Sequence, residues 1–178
     1  MRILAVSGSL RARSANTAAL VAASRLAPDG VVVEVYDGLA SLPHFNPDLD
    51  GEGMEPPEPV AALRRSIETV DGVLFSTPEY AHGLPGALKN ALDWLVSTPA
   101  FYGKPVALID TSAAYSVHAV ASLLEVLSTM GTRLVREACV DLPLRGRPLD
   151  ADGILAAPDL VQRVRTGLDA LARAIQSR

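Results

Sequence analysis

The sequence carries a single cysteine, Cys139, in 178 residues. That excludes a disulfide within the chain and an iron–sulfur cluster, which needs several thiolates. Cys139 lies in an apolar run and is expected to be a buried packing residue. No apolar stretch approaches the roughly 20 residues that span a bilayer. The apolar run near the N-terminus is too short for a secretory signal and lacks a small-residue cleavage pattern. A cytoplasmic protein with no membrane association is the resulting expectation. Positive charge is scattered: 16 Lys and Arg against 20 Asp and Glu leave a formal net charge of −4, so a nucleic-acid surface has no electrostatic footing. His44 and His118 stand at no metal-site spacing, and no metal is expected. Neither GxxxxGK[ST] nor GxGxxG occurs, which removes a Walker phosphate loop and the glycine path of a dinucleotide pyrophosphate. Repeats, linkers and low-complexity segments are also missing. Residues 1–178 are read as a single domain, and a hydrophobic content of 49% is enough for a sizeable core.

What is present is a regular alternation. Apolar runs at residues 3–6, 31–36, 72–76, 106–110 and 134–142 read as strands, and helical patterns fall at 17–26, 59–70, 85–96, 116–130 and 158–175. Strand and helix in strict alternation predict right-handed crossovers and an α/β fold. The expected form is a flavodoxin-like three-layer sandwich around a five-stranded parallel sheet. In such sheets ligands sit beyond the carboxyl ends of the strands, so the first, third and fourth strand-to-helix loops should converge on one site. The connection at 37–59, rich in proline and acidic residues such as Asp48, Asp50, Glu52 and Glu55, reads as a plain solvated loop. A similar stretch follows at 143–158.

The first of these loops is GSLRARSANT, from Gly8 to Thr17. A helix that starts just after a buried strand aims unsatisfied N–H groups and the positive end of its dipole into the turn, where an anion fits. Ser7, Ser9, Ser14, Asn16 and Thr17 add short donors, and Arg11 and Arg13 add charge. With both dinucleotide motifs excluded, the composition favours a terminal phosphomonoester. The plainer alternative makes Ser14 a helix cap and the arginines solvated loop charges.

The second loop, after the third strand, opens TPEYAHGLPGALKNALDW, from Thr77 to Trp94. Pro78 and Pro85 restrict its backbone, Gly83 relaxes it, and Pro85 suits the opening of a helix. In that helix Trp94 and Ala87 lie off the core stripe, and the helix at 116–130 is apolar over much of its circumference. Such faces predict a homodimer or homotetramer. Lys89 and Asp93, an i,i+4 pair in the less favourable order, read as surface residues.

Together GSLRARSAN and PEYAHGLPGALKNALDW resemble the NADPH-dependent FMN reductase family, which includes quinone, azo-dye and chromate reductases. The resemblance runs from the first strand to the fifth. It implies that Ser9, Arg11, Ser14, Asn16 and Thr17 hold the FMN phosphate, that Pro78, Glu79, Tyr80, Ala81, His82 and Gly83 run along the isoalloxazine ring, and that Ser112 and Tyr115 supply a third contact. Two departures are visible: Ala81 stands where many members carry asparagine, and residues 111–130 contain no glycine. The implied activity is ping-pong hydride transfer from NADPH or NADH to FMN, then to a small-molecule acceptor: a quinone, free flavin, azo compound or metal ion. FMN carries the chemistry, so no catalytic side chain is assigned. The alternative within the same fold is an FMN electron carrier, or a flavin-free binding module, without NAD(P)H activity of its own.

Overall fold

The computed structural model describes residues 1–112, 116–144 and 150–177. Strands β1 (Arg2–Ser7), β2 (Val32–Val35), β3 (Gly72–Ser76), β4 (Pro105–Asp110) and β5 (Arg133–Leu134) form one sheet in the order β2-β1-β3-β4-β5, and β6 (Val140–Asp141) also pairs with β4. Every pairing is parallel. The helices are α1 (Ala15–Arg25), α2 (Glu58–Glu68), α3 (Gly86–Asp93), α4 (Val117–Thr129), α5 (Ala151–Leu155) and α6 (Pro158–Gln176).

The continuous apolar strands have a simple cause. Ile3, Ala5, Leu74, Ala107 and Ile109 point into a core with Leu20, Ile154, Leu168 and Leu171 of α1, α5 and α6. The residues between them, Leu4, Val6, Val73, Phe75, Val106 and Leu108, point into a second core with Leu63, Ile67, Leu88, Leu92, Leu123 and Leu127 of α2, α3 and α4. Each face of the sheet is covered by helices, so both sides of each central strand are apolar.

Three expectations are corrected here. The run at 134–142 is not one strand. The edge chain advances from Leu134 to Val140 while β4 advances only from Val106 to Ile109, and the extra residues form a 3-10 turn at Arg136–Ala138. Arg136 and Glu137 are exposed there, and Cys139 just after them is exposed rather than buried. Its Sγ is partly screened from water and lies 3.6 Å from the Val135 carbonyl oxygen, and this partial desolvation holds the thiol above its ordinary pKa although the residue as a whole is exposed. Secondly, the stretch at 143–158 contains α5, whose N-cap Asp150 accepts a 2.8 Å hydrogen bond from Gly153 N.

Thirdly, the connection at 37–59 is strapped down. The Pro43 carbonyl accepts from Asn90 Nδ2 at 2.9 Å and Trp94 Nε1 at 2.8 Å, Phe45 N donates to Asn90 Oδ1 at 2.7 Å, and the Phe45 ring meets Trp94 edge-on at 5.0 Å. Trp94 is fully buried as a result. The second apolar flank of α3 is therefore covered by the chain's own loop, and it no longer argues for a second subunit.

Candidate functional site

The three loops predicted to meet do meet, at the carboxyl ends of β1, β3 and β4. Gly8 N donates to the Ser76 carbonyl at 2.8 Å. A Cβ on Gly8 would stand 2.3 Å from Thr77 Oγ1 and 2.9 Å from Thr77 Cβ, so the close approach of the first and third loops needs a glycine. Asn16, buried at the start of α1, ties all three together: its Oδ1 accepts from Ser76 Oγ of β3 at 2.9 Å and from Thr111 Oγ1 after β4 at 3.1 Å. Buried side chains bonded in this way are costly to remove. Asn16→Ala would therefore disturb loop packing as well as any ligand contact.

Within the first loop, Ser14 is the N-cap of α1 and accepts from Thr17 N at 3.3 Å, while Thr17 Oγ1 lies 2.8 Å from Ser7 Oγ. Ser9 N donates to Ser7 Oγ at 3.3 Å, and Ser9 Oγ accepts from Arg11 N at 3.3 Å. These hydroxyls shape the loop. The N–H groups of Ala15 and Asn16 in the first turn of α1 donate to no acceptor among the described residues. Arg11 and Arg13 are exposed and form no ion pair among the described residues. Backbone donors, the helix dipole and two guanidiniums together suit a phosphate. A cleft of about 450 Å³ lined by Arg11, Arg13, Ser14, Thr17 and Asp150 opens from this loop towards α5. It includes no residue of the loop after β3 and so is not where a ring held by that loop would lie.

The loop after β3 contains a tight two-residue turn. Tyr80 N donates to the Gly83 carbonyl at 3.1 Å and Gly83 N to the Tyr80 carbonyl at 3.0 Å. Ala81 and His82 between them have φ of 49° and 56°. A turn with both central residues left-handed favours asparagine and glycine, and an L-residue with a Cβ is strained there. Asparagine is the side-chain-bearing residue best tolerated there, so Ala81→Asn is expected to recover part of the roughly 1–2 kcal/mol that the left-handed conformation costs, measured by urea unfolding.

Glu79 has a role that the sequence did not disclose. Its Oε2 accepts from His118 N at 2.8 Å and Ala119 N at 2.9 Å, capping the start of α4 from another loop. The helix's own N-cap, Ser116, donates instead to Asp110 Oδ2 at 2.8 Å. Asp110 Oδ1 accepts from Ser112 N at 2.9 Å and Ser112 Oγ at 2.7 Å. The Ser112 hydroxyl thus braces the loop after β4. Tyr115 lies outside the described residues. Tyr80 is exposed beside the turn, with Pro78, Glu79 and Gly83 partly buried.

Comparison with known proteins shows what the chain is similar to. The family model described as NADPH-dependent FMN reductase matches residues 1–144. An NAD(P)H-dependent FMN reductase of Pseudomonas aeruginosa is 41% identical over 115 residues, which are 64% of this chain and 60% of that protein. A 2-hydroxy-1,4-benzoquinone reductase from a Burkholderia species is 32% identical over 184 aligned positions, covering 100% of this chain and 98% of that one. Among solved structures, FerB, a flavoenzyme NAD(P)H:(acceptor) oxidoreductase from Paracoccus denitrificans, superposes with a TM-score of 0.75 at 28% identity over 97% of both chains.

Proposed function

The chain belongs to the NADPH-dependent FMN reductase family, and from that premise we propose that it is an FMN-dependent oxidoreductase taking hydride from NADPH or NADH and reducing a small-molecule acceptor of the quinone class. The convergence of the three loops through Gly8, Asn16 and Glu79 carries this reading. The full-length likeness to a hydroxybenzoquinone reductase supports the choice of acceptor. When bound, FMN would supply the two-electron hydride chemistry.

The protein's contribution is to bind and orient. Arg11, Ser9 and the N–H groups of Ala15 and Asn16, which donate to no acceptor among the described residues, would hold the phosphate, with Ser14 and Thr17 keeping the loop in shape. Pro78, Glu79, Tyr80, Ala81, His82 and Gly83 line the ring, with the turn fixed by the bonds between Tyr80 and Gly83. Ser112 braces the third wall. Ping-pong order, and tolerance of several flat acceptors, would follow if donor and acceptor took turns at one site beside the exposed Tyr80 and His82.

The test is the visible spectrum of the purified protein with FMN and then NADPH in the absence of oxygen. Flavin bands that bleach on NADPH alone, and return on adding benzoquinone, support the reductase. Bands that bleach only when a separate reductase is added would make the protein an electron carrier, and no binding at all would make it a flavin-free module. Arg11→Ala is expected to weaken FMN binding about tenfold, the loss of one charge-assisted contact. It should leave thermal unfolding unchanged, because the side chain is exposed. An unaltered FMN affinity would remove the phosphate assignment.

Assembly through α4 belongs to the same proposal. Val117 is 63% exposed, and Val120 and Leu124 on that helix are only partly buried. A homodimer or homotetramer is the expected species in sedimentation velocity at micromolar concentration, and a lone monomer peak would overturn it.

A further inference from the structure

Glu79, His82 and His118 bring one ligand atom each within 4.8 Å of one another, a cluster that the linear spacing of the histidines conceals. The two imidazole rings are stacked, with centroids 4.5 Å apart and planes inclined by 18°. Each member arrives by a separate piece of local structure. His82 occupies the second left-handed position of the Tyr80–Gly83 turn, with φ of 56°. His118 lies in the first turn of α4. Glu79 is oriented by the hydrogen bonds that its Oε2 accepts from the N–H groups of His118 and Ala119. Among the described residues no lysine or arginine pairs with the Glu79 carboxylate.

We propose that Glu79, His82 and His118 bind one divalent transition-metal ion, and that the bound ion staples the turn after β3 to the start of α4. Two imidazoles and one carboxylate suit zinc, nickel, cobalt or copper, whereas calcium and magnesium prefer an all-oxygen shell. Zinc bonds of about 2.0–2.2 Å place neighbouring ligand atoms roughly 3.5 Å apart, so no pair of the trio has to draw in by more than about 1.3 Å. Both histidines are exposed, and their rings can turn without repacking a core. The hydrogen bonds on Glu79 fix the carboxylate in advance, as partners outside the ligand set do in built metal sites. A fourth position stays open to water. Glu79 and His82 also fall in the stretch proposed to run along the flavin ring, but the ion needs only the three side chains and does not require FMN.

The test uses the full-length, tag-free protein, stripped with a chelator and titrated with Zn2+ by calorimetry, with and without FMN. One ion per chain is expected, accompanied by a rise in melting temperature. His82→Asn, which tolerates the left-handed backbone, and His118→Gln should each weaken binding at least tenfold and abolish the thermal shift. His44→Gln, at an exposed histidine outside the cluster, should leave both unchanged. X-ray absorption at the zinc edge of the unmutated protein should show two imidazoles, a readout that depends on no variant. Failure of the protein to bind zinc at one per chain, undiminished binding in either cluster variant, or an edge spectrum without imidazole would overturn the proposal. Zinc bound in this way to a protein that never binds FMN would sink the flavin reading and leave this one standing.

Discussion

Gly8→Val should destabilise the protein by about 3 kcal/mol, the upper part of the usual range for forcing bulk into a packed site. For a chain of this length that is a fall of roughly 6–12 °C in melting temperature. The cause is local: even the first added carbon lands 2.3 Å from Thr77 Oγ1 and 3.0 Å from Leu88 Cδ2. Thr77 is buried and β-branched, so it has little room to turn aside. The strain is relieved only by parting the loops after β1 and β3, which also breaks the 2.8 Å bond from Gly8 N to the Ser76 carbonyl. FMN binding should therefore fall with stability in this variant, and both can be read from one thermal scan followed by flavin absorption. Gly86→Ala is the control. A Cβ there meets nothing within 4 Å, the site opens α3, and alanine in a helix is about 0.5–1 kcal/mol better than glycine. A Gly8→Val protein as stable as the parent would show that the loops do not need this close approach.

The sheet was legible because its strands are buried on both faces. Leu4 and Val6 belong to one core and Ile3 and Ala5 to the other, so no polar residue interrupts the run. The same logic fails at the edge. Residues 134–142 are apolar at each end, but Arg136 and Glu137 look outward, and pattern alone cannot say that a turn will absorb them. Pattern also found the second apolar flank of α3 without revealing what covers it. Trp94 is buried against Phe45 and Pro43, from a loop whose prolines and acids read as solvated. At the site, the residue types of the first loop were readable, and so was the Ser14 cap, offered as the plainer alternative, whereas the tie that Asn16 makes between the loops was not. Glu79 escaped notice as a cap because it reaches α4 across 39 residues of sequence. Contacts of that length are set by topology, to which local periodicity is blind.

Arg64→Ala should cost about 3 kcal/mol at neutral pH, in line with removing one partner of a buried ion pair. Arg64 Nη2 lies 2.7 Å from Asp50 Oδ1, and Nε and Nη2 both donate to the Trp94 carbonyl, at 3.0 and 2.7 Å. Ser97 Oγ completes the cluster, donating to Asp50 Oδ2 at 2.7 Å. The side chains of Arg64 and Asp50 are only 17% and 9% exposed, so alanine would leave a carboxylate stranded and the strap over Trp94 loosened. Burial pushes the Asp50 carboxyl up, yet the hydrogen bonds from Ser97 and Arg64, with the Arg64 charge, outweigh it and hold the group below the ordinary carboxylate range. A depressed folded-state value means that the pair's contribution is complete above the unfolded carboxylate pKa of about 4 and is lost as pH falls through the lower folded one. The stability gap between parent and Arg64→Ala should thus be widest near neutral pH and narrow in acid, because Asp50 is protonated first in the variant, where Arg64 no longer opposes its burial, and last in the parent. Urea unfolding at a series of pH values measures it. Arg65→Ala provides the contrast, because Arg65 and Glu58 are 61% and 77% exposed and a pair so open to water contributes less than about 1 kcal/mol. Equal losses in the two variants, or a gap that widens in acid, would show that the strap is held by its apolar contacts and not by this ion pair.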